Sequence, residues 1–291
     1  MTETAAGSAQ KLGEILRLAV AKLPKPVRMR AQSSLDGFDR AFALFEVDRE
    51  MSSFLAITAE EEAAAALFRA LQVRKYPGAD RLDLKRHEHK AALWPVLDAA
   101  RMAIGEGFRD IEFQLSAEPP KIRVALKLAK YVDNPPEDLA ETHIELVHPL
   151  DVLRSVGGKP DNFGEQIQRI VEAHGKSSIR DHIRSVANSR NKILYASDQS
   201  LPKSNATLEG LSQRKRQATI ALCLCVGVLQ TRRHQNYALQ ALDCFLQILQ
   251  KADGIVMPYA DKAPQHVEGT DEVATPAENS ILDPDVTPAV D

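Results

Sequence analysis

Phe54-Leu55-Ala56-Ile57-Thr58-Ala59-Glu60-Glu61-Glu62-Ala63 lies within residues 35–72, a stretch with no proline and a single glycine, Gly37. Phe38, Phe42 and Phe45, then Leu55, Ala59, Ala63, Ala66, Leu67 and Leu71, recur at helical spacing, which predicts one long helix or two joined near Ser52-Ser53. Thr58 followed by three acids reads as a helix start, a hydroxyl cap with carboxylates in the first turn. If the helix instead runs through, Glu62 falls on the stripe Leu55, Ala59, Glu62, Ala66 and points a carboxylate at the core, where it needs a partner.

Outward from this stretch the helical period dominates. Upstream, Leu12, Ile15, Leu16, Ala19 and Leu23 make an amphipathic helix over residues 8–23 that ends at Pro24 and Pro26. It is bordered by Lys11, Arg17, Lys22, Lys25, Arg28 and Arg30, a basic set of the kind found on solvated helix faces and on surfaces that meet anions. Downstream, Tyr76-Pro77-Gly78 breaks the chain, and a helix is predicted from about residue 84 to 104 with the stripe Leu93, Leu97, Ala100, Ile104. His89 lies one turn before Leu93. His87 and His89, two apart, fall on nearly opposite faces and cannot chelate a metal together.

The period changes after Gly105 and Gly107. Ile111-Glu112-Phe113-Gln114-Leu115 and Ile122-Arg123-Val124-Ala125-Leu126-Lys127-Leu128 alternate around the turn Ala117-Glu118-Pro119-Pro120, a hairpin, and His143-Ile144-Glu145-Leu146-Val147 offers a third strand. Residues 157–162 read as a loop. Helices resume over Ile167, Ile170 and Val171, break near Gly175, and continue from Ser178 to about Ala196 along Ile179, Ile183, Val186, Arg190 and Ile193. A last long helix is predicted over residues 208–252, with basic clusters at Arg214-Lys215-Arg216 and Arg232-Arg233. Its segment 218–229 is apolar nearly all round, as in a bundle centre or a dimer interface.

The fold class that follows is mainly α, a helical bundle with a small antiparallel β-hairpin or sheet insertion and a disordered acidic C-terminal tail. Its parts are an N-terminal amphipathic helix or arm (1–30), two stretches of bundle (31–104 and 161–260), the β insertion between them (105–160) and the tail (261–291). The net charge of −3 divides accordingly into −7 from residues 261–291, where eight carboxylates oppose Lys262, and +4 from the preceding 260 residues. The tail has no aromatic residue and four prolines, a composition that cannot offset chain entropy.

Several classes are excluded. The longest uncharged apolar run is thirteen residues, 218–230, against about 20 for a membrane span. Cys223, Cys225 and Cys244 fit small core hydrophobes rather than a disulfide framework or a zinc site. No glycine-rich phosphate loop, nucleophile elbow or H-E-x-x-H pair occurs. Met1-Thr2-Glu3-Thr4 does not open a signal peptide, so a cytoplasmic location is expected, with no membrane contact, no cofactor and no metal.

Arg190 stands out, because a guanidinium on the apolar side of a helix requires a carboxylate or a bound anion. The plainest reading makes Arg190 and Glu62 structural ions, paired inside a non-catalytic helical module that docks a protein partner. The run Arg190-Asn191-Lys192-Ile193-Leu194-Tyr195-Ala196, together with Glu60-Glu61-Glu62 in the early helix and His87-Glu88-His89-Lys90 opening the next, resembles the HEPN superfamily, and within it the AbiV-like group of abortive-infection proteins. The resemblance covers residues 35–104 and 165–252. It implies an α-helical bundle, commonly homodimeric, of a superfamily with many metal-independent endoribonucleases of phage defence and RNA processing, and a cleft holding one Arg-Asn motif from each protomer.

Two departures matter. Tyr195 stands where the ribonuclease motif has a histidine, and Ala65 where a lysine is expected after the acids. Cleavage by 2′-hydroxyl attack needs proton-transfer groups and a cation on the phosphorane charge. Arg190 is the expected cation, Asn191 and Tyr195 phosphate- or base-contacting groups, and His182 and His89 the first imidazoles to inspect, with Glu61 and Glu62 as ion-pair or orienting acids and Arg214, Lys215 and Arg216 as RNA contacts.

Overall fold

The computed structural model describes residues 5–107, 111–127, 143–146, 148–188, 193 and 206–253. Arg190, Asn191, Tyr195 and the acidic tail lie outside the described residues. Eight α-helices appear among those described: α1 Ala5–Ala21, α2 Lys25–Leu44, α3 Arg49–Val73, α4 His87–Gly107, α5 Gly164–Ala173, α6 Ile179–Ala187, α7 Leu208–Leu229 and α8 Asn236–Asp253. Between α4 and α5 come β1 Ile111–Ala117, β2 Pro120–Lys127, β3 His143–Leu146 and a small hairpin, β4 Ser155–Val156 with β5 Lys159–Pro160. No described helix is long and apolar enough to cross a membrane.

The long helical stretch is two helices, and the joint falls earlier than Ser52-Ser53. Asp48 caps α3 by accepting from the Met51 amide at 2.8 Å, which satisfies a donor that the first turn leaves open. Ser52, buried inside α3, donates to the Ala41 carbonyl at 2.7 Å and ties α3 back to α2. The acids at positions 60–62 therefore lie in mid-helix, and Thr58 is no cap; its hydroxyl donates to the Phe54 carbonyl within the helix.

α3 is the centre of the bundle, packed against α2, α4 and α7. Its buried Ala56, Ala59, Ala63, Ala64, Ala66 and Ala70 keep neighbouring backbones close. A Cβ at Gly37 would sit 2.8 Å from the Ala59 Cβ, so the α2–α3 crossing requires glycine. Phe38 and Phe68, essentially fully buried, contribute about 1.5–3 kcal/mol each by leaving water. α1 is part of this core rather than an arm, since Leu16, Ala19 and Val20 are buried in it.

β1, β2 and β3 form one antiparallel sheet in that order, with Phe113 opposite Val124 and Leu126 opposite both Ile111 and Ile144. Ile122 and Val124 turn to the bundle. A Cβ at Gly227 would meet Ile122 and Leu150 at 3.3 Å, so this glycine sets how closely the sheet approaches α7. The expected loop at 157–162 includes the turn and second strand of the β4–β5 hairpin, with Gly157 and Gly158 both at positive φ.

The predicted last helix divides into α7 and α8. The break is held by tertiary contacts of buried Gln235: its amide nitrogen donates to the Gly227 carbonyl (2.9 Å), its side-chain oxygen accepts from the Leu150 amide (3.0 Å), and its backbone amide meets the Tyr76 hydroxyl (3.1 Å). Cys225 and Cys244 are buried in α7 and α8, and burial pushes the Cys244 thiol up to about 12, far from reactive thiolate.

Candidate functional site

Successive residues of an α-helix point about 100° apart. Glu60, Glu61 and Glu62 therefore aim at three different neighbours of α3, and each meets a cation there. Glu60 accepts from Arg214 of α7. Glu61 accepts from Lys90 Nζ at 3.1 Å and lies 2.8 Å from His87 Nδ1, both on α4. Glu62 pairs with Arg30 of α2 at 3.2 Å.

The three pairs differ in environment. The Glu60 carboxylate is 5% exposed and is the acid that points at the core, the place expected for Glu62, which is 26% exposed. Burial raises the Glu60 carboxyl above its ordinary range, and the Arg214 guanidinium works against that rise. Asp98 lies close by and accepts from Gln217 at 2.9 Å. This is an ion pair between α3 and α7 whose acid is buried and whose guanidinium is 34% exposed.

Around Glu61 the arrangement is graded. Lys90 is 8% exposed, Glu61 12% and His87 43%, so the imidazole stands at the outer edge of a cluster whose acid and ammonium are buried beneath it. A carboxylate oxygen only accepts, so the Nδ1 facing Glu61 carries a proton. A carboxylate behind an imidazole fixes its tautomer and orientation. The i, i+3 spacing of His87 and Lys90 places both on the α4 face that meets α3. Together they offer a proton-transfer group above a fixed cation.

The other residues named from sequence sit elsewhere. His89 faces away from Glu61: it is buried, its Nδ1 accepts from the Asp83 amide at 3.1 Å, and burial lowers its pKa. His182 is buried in α6 against His174, ring centroids 4.6 Å apart, and burial followed by the His174 charge lowers its pKa. Arg214 pairs with Glu60 and keeps 34% of its side chain exposed. Lys215 lies over the Phe42 ring, 5.3 Å from its centroid, and 3.8 Å from Asp39. Arg216 is exposed.

Comparison with family models, curated proteins and solved structures finds no match. Sequence reasoning separated His87 from His89 correctly by helix geometry but passed over His87 as the imidazole of interest. The available signal was its i, i+3 relation to Lys90. Glu60 was missed because its burial depends on how α7 crosses α3, which spacing within one helix does not reveal.

Proposed function

We infer that this chain is a HEPN-like protein of phage defence or RNA processing that acts on RNA without a metal, as an endoribonuclease or as an RNA-binding protein, in homodimeric form. The observation that carries this reading is the Glu61–His87–Lys90 cluster, because it supplies the imidazole that Tyr195 leaves missing from the Arg-Asn motif. In this reading His87 Nε2 takes the 2′-hydroxyl proton or returns one to the leaving oxygen, Glu61 holds the ring, and Arg190 and Asn191 meet the phosphate. Imidazole is suited to the task because it exchanges protons near neutral pH.

The alternative, a non-catalytic interaction module with structural ions, is favoured by the Glu60–Arg214 pair, whose acid is buried. In that account the structural ions include Glu60 and Arg214 beside Arg190 and Glu62. Incubation of the full chain with labelled single-stranded RNA separates the two. Cleavage or binding lost in Arg190→Ala at unchanged melting temperature supports the RNA reading. No RNA activity in the parent chain, with a large fall in melting temperature for Arg190→Ala, overturns it.

A further inference from the structure

Arg69 is one of several described arginines without a carboxylate partner, and it differs from the others in lining a cleft. Arg69 on α3 is half-buried, and among the described residues no carboxylate pairs with it. Among the described residues its hydrogen-bond partner is neutral: Arg69 donates to the Gln72 side-chain oxygen at 3.2 Å. Gln72 is itself fixed, because its amide nitrogen donates to the Ala79 and Leu82 carbonyls at 3.2 and 2.9 Å, across the 3-10 turn at residues 79–81. The guanidinium is thus held in place by a side chain that orients it without neutralising it. Such a group, partly out of water, favours an anion.

The space in front of Arg69 is suited to one. A cleft of about 380 Å³ is lined by Pro26, Met29 and Arg30 of α2, by Glu62 and Arg69 of α3, and by Leu84. That volume lies within the range of small-ligand clefts, about 300–1,000 Å³. Arg30 brings a second guanidinium, whose charge is offset by Glu62, so the net positive charge of the cleft is that of Arg69. Met29, Pro26 and Leu84 supply an apolar wall, and Met29 is 56% exposed at the mouth. In the chain, Glu62 follows Glu61 directly and Leu84 precedes His87 by three residues.

We propose that this cleft is a nucleotide subsite: Arg69 binds a phosphate, and Met29 and Leu84 take the face of the attached base. The proposal rests on the RNA reading above, in which it holds one nucleotide of the bound strand. A planar guanidinium matches phosphate geometry in two-pronged fashion, and an apolar wall accepts any base by its face, so this subsite adds affinity without reading sequence.

Isothermal titration of the full chain with adenosine 5′-monophosphate, adenosine and inorganic phosphate tests it. The nucleotide is expected to bind one to one, more tightly than either fragment. Arg69→Gln should weaken it about tenfold or more, the loss of a charge-assisted contact. Met29→Trp, which fills the mouth from an exposed position, should weaken it comparably with the melting temperature unchanged. Absence of nucleotide binding overturns the proposal, as does binding unaffected by both substitutions, or phosphate binding as tightly as the nucleotide. The two readings fail separately. RNA activity that depends on Arg190 but not on Arg69 or Met29 removes the subsite and leaves the RNA reading. Nucleotide binding that depends on Arg69, in a chain without RNA activity, does the reverse.

Discussion

Glu60 and Glu61 are neighbours in one helix and have opposite surroundings. Glu60 meets a single guanidinium from α7 inside the bundle, and its carboxyl is raised because burial outweighs that partner. Glu61 meets an ammonium and an imidazole from α4, and the imidazole stands 43% exposed. The 100° between them separates an ion pair that fixes how two helices cross from a cluster that presents a titratable ring at the surface. Carboxylates of equal formal charge thus differ in partner and burial according to which helix they face, and each makes a different demand when its partner is removed.

The largest effect on stability is expected on the Glu60 side. Arg214→Ala leaves a buried carboxylate unpaired and should cost about 3 kcal/mol at neutral pH, read from urea unfolding. A carboxyl whose native pKa lies above the unfolded value of 4.5 binds its proton more tightly when folded, so its contribution is fully favourable below about 4.5 and is lost as pH rises through the native pKa. The cost of Arg214→Ala should therefore shrink toward acid. Replacing both partners, Glu60→Leu with Arg214→Met, should recover most of the loss.

A smaller, pH-dependent effect is expected at the sealed histidine. The native pKa of His182 lies below its unfolded value of 6.5. As pH falls through that window the unfolded chain takes up a proton that the folded chain refuses, so stability is full above about 6.5 and declines below it. His182→Gln should flatten that part of the decline in urea midpoints between pH 7 and 5.5. The smallest effect belongs to the partly exposed Arg30–Glu62 pair between α2 and α3, where Arg30→Ala should cost less than about 1 kcal/mol. A cost at Arg30 equal to that at Arg214 would erase the distinction between the pairs.

Much of the architecture was legible because local rules and tertiary contacts agree. The alternating runs around Ala117-Glu118-Pro119-Pro120 became β1 and β2, and 143–147 supplied β3, since a two-residue period has few alternatives. The joints were harder to read. The α2–α3 break lies at an Asp48 cap preceded by no glycine or proline, and the α7–α8 break is imposed by Gln235 contacting Gly227, Leu150 and Tyr76, residues distant in sequence. The same limit governed the site. An acidic run was recognisable as special, but choosing the buried acid among three required knowing the crossing of α7, and choosing between His87 and His89 required knowing that α3 lies on the Glu61 side.

The central claim is that the Glu61 cluster acts while the Glu60 pair only holds. The direct test is cleavage of labelled single-stranded RNA by the full chain and by His87→Ala, with melting temperatures measured on the same samples. His87 is half-exposed, so its removal should leave the melting temperature within about 2 °C, as surface substitutions do. RNA cleavage should fall about 100-fold or more, the typical worth of a positioned proton-transfer group. Cleavage unchanged in His87→Ala, or absent from the parent chain, would contradict the account.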